Sequence, residues 1–474
     1  MKTRTEHDLL GTLEVPSDAY YGIHALRSRN NFSLSGLRLH PELVRALAEV
    51  KKACAVANAR TGRLQHRLAG AIADACDEIA SGKLREHFIT DAFQGGAGTS
   101  ANMNANEVVA NRAIELLGGR KGDYNLVHPL DHVNLSQSTN DVFPTAVRIA
   151  AIRLVVDASR AMSELQRALQ AKENEFAAVL KIGRTEMQDA VPVTLGQEFA
   201  AWAQAVQRDW WRLYKVEERL RQVNLGGTAV GTGLNADRRY VFVVADILRE
   251  VTGLPLARAE NMIDVTQNCD VFAEVSGLIK AAAVNLAKIS SDLRILSSGP
   301  RAGIAEIRLP PLQAGSSIMP GKVNPVATEA ATQAAIQIIA NDQAVTMAAA
   351  GGQLELNAFL PLIAHNLLQS AQLLARAARL LAQSCIPGIE ADEERCRELV
   401  ENSFAMLTAL SPYIGYEAAS ELAQDAAASG KTIRQAALDK QLFTPEQLDA
   451  ILTTEEMTRP GIAGLRRASR SVED

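Results

Sequence analysis

Aromatic residues are scarce in this sequence, at 4% of the chain. Strands favour aromatic and β-branched side chains, so a sheet-built core has little to draw on. Cysteine is also rare: Cys54, Cys76, Cys269, Cys385 and Cys396 are scattered and form no Cys-x-x-Cys pair. That odd, dispersed set excludes a disulfide framework or zinc ribbon and fits free thiols in a reducing compartment. No long Lys/Arg run occurs and the formal net charge is −5, which removes the basis for nucleic-acid binding. No uncharged apolar stretch reaches membrane-spanning length, and the opening MKTRTEHDLLG lacks the apolar core of a signal peptide. The expectation is a soluble cytoplasmic protein with neither a nucleic-acid nor a membrane partner.

What is present points to helices. Hydrophobic residues make up 47% and charged residues 22% of 474, a composition that buries cores and argues against disorder. Ala and Leu are abundant, and both are strong helix formers. A chain this long exceeds one simple core. We expect a mainly α, three-domain chain with a central long-helix bundle: 1–141 N-terminal, 142–395 bundle, 396–474 small and helical.

Periodicity places the bundle. From Phe143 to Leu180 only Pro144 interrupts, at a position read as first-turn, and Ala158, Met162, Leu165, Leu169, Phe176 and Leu180 keep one apolar face. A second run without Gly or Pro other than its bounds lies between Gly196 and Gly226. Val275, Ile279, Ala282, Leu286, Ile289, Leu293 and Leu296 alternate spacings of four and three, the heptad pattern of helices packed lengthwise. Ala/Leu-rich helices follow near 330–350 and 360–381. From about Cys396, Pro and Gly return at short intervals, as in a domain of short helices. By contrast, 94–141 is dense in Asn, Ser, Thr and Gly, a composition expected in loops and caps.

A helix from 143 to 180 spans roughly 55 Å at about 1.5 Å per residue. Ser136–Asn140 precede it and Gly183-Arg184-Thr185 follow it. If both clusters serve one site, that site is assembled from different chains.

Four polar segments stand out. Gly95–Glu107 offers glycines for close backbone approach and Thr, Ser and Asn donors, but no Walker-type Gly-Lys-Ser/Thr. Asp131–Asp141 holds more polar residues than one N-cap needs; the cap is expected at Asn140 or Asp141. His128 and His132 within and beside it are separated by Pro129, which argues against a shared helical face and a metal site. Gly183–Pro192 mixes charge and hydroxyl. Gly315–Pro325 is the most telling: two glycines and two prolines bound a loop exposing Ser316, Ser317, Lys322 and Asn324, a lid suited to closing over an anion. The glycines of 226–233 lack a phosphate-binding Lys and make a weak nucleotide loop.

The segment Gly315–Pro325 resembles the signature loop of the aspartase/fumarase superfamily. The other three segments resemble its remaining signature regions in the same order, and Thr5–Gly11 and Tyr20–His24 extend the resemblance over nearly the whole chain. Gly95–Ser100 and Ser138–Asp141 are similar to the aspartase branch, where fumarases tend to carry Gly-Ser-Gly-Thr-Gln and Ser-Ser-Asn-Asp.

The resemblance implies a carbon–nitrogen lyase that converts L-aspartate reversibly to fumarate and ammonia, and the heptad run with the helix-length argument predicts a homotetramer with active sites shared between subunits. Taking the proton beside the β-carboxylate leaves an aci-carboxylate with extra negative charge, so fixed donors must carry the stabilisation. No organic cofactor is then required; modulation by a divalent cation stays open. By resemblance Ser316 is the general base. Thr99, Ser138, Thr139, Asn140 and Thr185 hold the substrate, with Lys322 and Asn324 on its carboxylates. Glu186 stands where many relatives carry His and some aspartases Gln. It can be protonated, bind the substrate ammonium or point away. Two other outcomes stay open: fumarate hydration or another fumarate-releasing reaction on this scaffold, and a non-catalytic structural or binding protein.

Overall fold

A computed structural model describes residues 2–465. Helices dominate it, and strands occur among the described residues only as two-stranded sheets. Among these residues no helix is long and apolar enough to cross a membrane. The five cysteines are free and buried.

The longest helix runs Thr139–Glu175, and others run Asp270–Leu296, Val326–Ala350, Leu360–Arg379 and Leu195–Tyr214. The heptad stripe from Val275 to Leu296 is buried along its length, none of its members more than 6% exposed. Each such aliphatic side chain contributes about 1.5–3 kcal/mol on leaving water.

The long helix departs from the sequence reading at both ends. It starts at Thr139, so Pro144 is its sixth residue rather than a first-turn one. It stops at Glu175, and Leu180–Thr185 instead forms an antiparallel hairpin with Gln188–Thr194. The Asn-rich stretch also differs. Thr99–Leu116 is a helix in which Asn102, Asn104, Asn106 and Asn111 are buried. For two of them partners meet the amides: Asn104 accepts from Ile89 N and donates to His87 O, and Asn111 donates to Tyr20 O.

The chain divides into two compact units, each made of three stretches. The first holds the described residues up to Arg160, then Asp209–Val284 and Ala334–Arg376. In it the helices Pro41–Arg60, His66–Ala80 and Thr99–Leu116 pack through Leu47, Val50, Ile72, Ile79 and Val108. Glu6 and Glu107 lie buried in this unit, taking the N–H groups of Ile23, and of Gly22, His24 and Ala25. This is what the Tyr20–His24 motif does: a Cβ at Gly22 would stand 2.7 Å from Glu6 Oε2.

The second unit holds Ala161–Arg208, Asn285–Gln333 and the described residues from Ala377 onward. Its last part is a run of short helices around Val400, Leu410, Leu422, Ile433, Phe443 and Leu448, with Ile182 of the hairpin in the same core. Thr432 with Gln435, and Thr444 with Gln447, form reciprocal capping boxes that start two of these helices.

Candidate active site

Two helix starts carry the candidate residues of the first unit. Gly98 precedes Thr99 at φ +98°, and a Cβ there would lie 2.5 Å from the Phe143 ring. Only glycine meets both conditions, and it seats the Thr99 helix against the beginning of the long helix. Thr99 is exposed, its hydroxyl donating to Gly96 O at 2.6 Å. Ser138 caps the long helix, not Asn140 or Asp141: its Oγ accepts from Asn140 N (3.2 Å), while Asp141 Oδ1 accepts from Ser138 N (3.0 Å). Asn102 Nδ2 donates to Thr139 Oγ1 at 3.1 Å and ties the two starts together.

A buried polar layer supports them. Lys51 is fully buried, and its ammonium donates to Asn134 Oδ1 (2.9 Å) and Gln137 Oε1 (2.8 Å). Burial pushes its pKa down to about 8. Asn102 and Asn106 each donate to the same Asn134 oxygen at 3.2 Å. Asp141 is pushed up to about 7 by burial, against the N–H groups of Ser138, Thr228 and Gly226. Asn102, Asn106, Asn134, Gln137 and Asp141 lie in the polar segments that the sequence singled out, whereas Lys51 does not. A signal existed for Lys51: with Leu47, Cys54 and Asn58 it occupies the inward stripe of an otherwise apolar helix face. His128 and His132 serve a local turn, His128 Nδ1 accepting from Leu130 N and Asp131 N, and His132 Nδ1 from His128 N.

The second unit carries the rest. Thr185 ends a strand, and the two-residue turn Glu186-Met187 has φ +55° and +64°, the primed geometry of tight hairpins. Thr185 and Glu186 are exposed at this tip. The hairpin is anchored below it: the fully buried Glu306 carboxylate meets Lys181 Nζ at 3.2 Å and Arg184 Nη1 at 2.9 Å. In the loop, Ser316 Oγ accepts from Ile318 N (3.2 Å) and Met319 N (3.1 Å). The Gly315 α-carbon faces the Lys322 carbonyl so closely that no side chain fits there. Lys322 is exposed, Asn324 half-buried, and among the described residues no carboxylate pairs with Lys322.

Thr99, Ser138, Thr139 and Asn140 thus belong to one unit and Thr185, Glu186, Ser316, Lys322 and Asn324 to the other. The first set offers hydroxyl and amide donors, and the second adds the Lys322 ammonium. Among the described residues no group of three His, Cys, Asp or Glu is arranged to hold a metal ion.

A family model described as "Lyase" matches residues 11–340, and one described as "Fumarase C C-terminus" matches 406–459. The chain belongs to this lyase family. The lyase match spans all four polar segments. The aspartate ammonia-lyase of Bacillus subtilis is 48% identical over 97% of both chains. That of Pseudomonas fluorescens is 51% identical over 98% of both. Among solved structures, fumarate lyase:delta crystallin from Brucella melitensis aligns with TM-score 0.93 at 51% identity, over 97% of this chain and all of that one. The class II fumarase of Schistosoma mansoni aligns with TM-score 0.90 at 36% identity over the same shares. The mainly helical aspartase/fumarase fold is therefore the fold of this lyase.

Proposed function

We propose that this protein is an aspartate ammonia-lyase, removing ammonia from L-aspartate to give fumarate. The observation that carries this is the near-full-length identity of about half to aspartate ammonia-lyases from distinct bacteria. The anti elimination runs through an aci-carboxylate. Ser316 Oγ, as the oxyanion, takes the proton from the carbon beside the β-carboxylate. The electron pair moves onto that carboxylate and returns to form the double bond as the C–N bond breaks and ammonia leaves. An oxyanion at Ser316 is supported by the two backbone N–H groups already directed at its oxygen. Lys322 and Asn324 hold the substrate carboxylates; Thr99, Ser138, Thr139, Asn140 and Thr185 complete the grip. Asn140 spends one amide N–H on Ala229 O at 2.7 Å, which orients its oxygen as an acceptor. Glu186 takes the substrate ammonium, the one cationic group of aspartate.

Fixed donors carry the developing charge, so no organic cofactor is required. The enzyme works as a cytoplasmic homotetramer whose sites combine residues of different subunits. Support comes from the continuous Thr139–Glu175 helix and from the exposed Val284, Ile336 and Met347 on long helices. The segments 1–141, 142–395 and 396–474 are its three domains. The deciding experiment follows fumarate absorbance after mixing the purified protein with L-aspartate or with L-malate. Fumarate from aspartate is expected; fumarate from malate alone would replace this reading with a hydratase.

A further inference from the structure

Pro144 leaves a gap in the long helix that another part of the chain fills. As the sixth residue of Thr139–Glu175 it has no N–H for the carbonyl of Asn140, and its ring crowds that carbonyl. Asn140 O is satisfied instead by Asn224, whose Nδ2 donates to it at 3.0 Å. The same nitrogen donates to Thr266 Oγ1 at 2.8 Å, and Thr266 in turn donates to Met262 O. Asn224 and Thr266 are fully buried, so the Asn224 amide has no solvent to turn to if these bonds are lost.

Asn224 also opens the glycine-rich loop. Gly226 N and Thr228 N donate to Asp141 Oδ2, both at 3.0 Å, and Asn140 Nδ2 donates to Ala229 O. Gly231 N and Gly233 N both turn inward to Gly227 O. The N–H groups of Gly226, Gly227, Thr228, Gly231 and Gly233 are thus spent on the loop itself and on the first turn of the long helix, and the loop and Asn224 hold Asn140 from both sides.

We propose that Asn224 is a positioning residue for the substrate site: its amide replaces the helical hydrogen bond that Pro144 abolishes and so fixes Asn140. The proposal rests on the functional reading in placing Asn140 on the substrate. A residue held this way acts through geometry, where a misplacement near 1 Å costs up to about 100-fold in rate.

The test is kinetic rescue. Assays use whichever of L-aspartate or L-malate the wild-type protein turns over, so failure on aspartate counts against the functional reading and not against this one. Asn224→Ala should lower kcat/KM between about 10- and 100-fold, raising KM and lowering kcat, well below its melting temperature. Pro144→Ala restores an N–H for Asn140 O, so the double variant Pro144→Ala/Asn224→Ala should recover most of kcat/KM. A role in stability alone would move melting temperatures and leave kcat and KM unchanged. The proposal is overturned by a folded Asn224→Ala with near-normal kcat/KM, or by a slow one that Pro144→Ala does not rescue. Should Asn224→Ala not fold, the double variant decides: folded and active supports the assignment, unfolded or inactive overturns it.

Discussion

Lys51 donates to Asn134 across 2.9 Å while wholly shut off from water, and its second partner, Gln137, is an amide too. A buried ammonium held only by neutral oxygens keeps its charge at a cost, which is why burial brings its pKa to about 8. Its value when unfolded is the ordinary 10.5, so between the two the unfolded chain binds the extra proton. The stability conferred is full above the unfolded value and is lost as pH falls through about 8. Wild type should therefore gain stability relative to Lys51→Met as pH rises from 8 towards 10, by up to about 1.4 kcal/mol per pH unit. Denaturant midpoints of both proteins across that range check it; parallel curves would refute it.

Gly98→Ala should destabilise the protein and disturb the site together. A left-handed alanine costs roughly 1–2 kcal/mol and the clash with Phe143 about 1–3 kcal/mol more. Gly98→Ala/Phe143→Leu should return only the clash. Equal stabilities for the single and double variants would show that the ring yields freely. Because Thr99 follows directly, kcat/KM should fall even where the variant is fully folded.

Legibility tracked how local each signal is. The stripe from Val275 to Leu296 announces its burial because helical spacing alone brings those side chains together. Ser138 to Asp141 and Ser316 to Asn324 were equally visible, each a donor cluster within a few residues. Asn102, Asn104 and Asn106 stood out as donors too, but not as buried ones: their partners lie at Asn134, His87 and Ile89, and composition cannot report who meets a buried amide. Asn224 was hidden for the same reason, 84 residues from the carbonyl it serves. The hairpin at Thr185 escaped notice because Glu186-Met187 lacks the Asn-Gly chemistry that marks such turns.

Sharing of sites between subunits predicts complementation. Thr139→Val and Ser316→Ala should each be nearly inactive alone. Dissociated, mixed in equal amounts and reassembled, they should regain up to about a quarter of wild-type activity, from sites that draw both intact residues from different chains. A site confined to one chain would regain none. Light scattering of the wild type should give four chains, and a fully active monomer would end the shared-site account.

Ser316 and Lys322 sit in one loop yet should fail differently. As the proposed base, Ser316 would act when the proton moves, so Ser316→Ala should lower kcat by roughly 10²–10⁴-fold with a smaller change in KM. Lys322 is exposed, and its proposed partner is a substrate carboxylate that is present before and during proton removal. Lys322→Met should therefore raise KM and lower kcat together. The loop's own fold adds a control: Ser316 Oγ also ties down Ile318 and Met319, so Ser316→Ala could loosen the lid. Loosening would weaken substrate binding, whereas loss of the base leaves binding nearly intact. Substrate titration of folded Ser316→Ala, read as tightness of binding beside turnover, separates the two. Tight binding with almost no turnover assigns the base to Ser316; near-normal turnover removes it from that role.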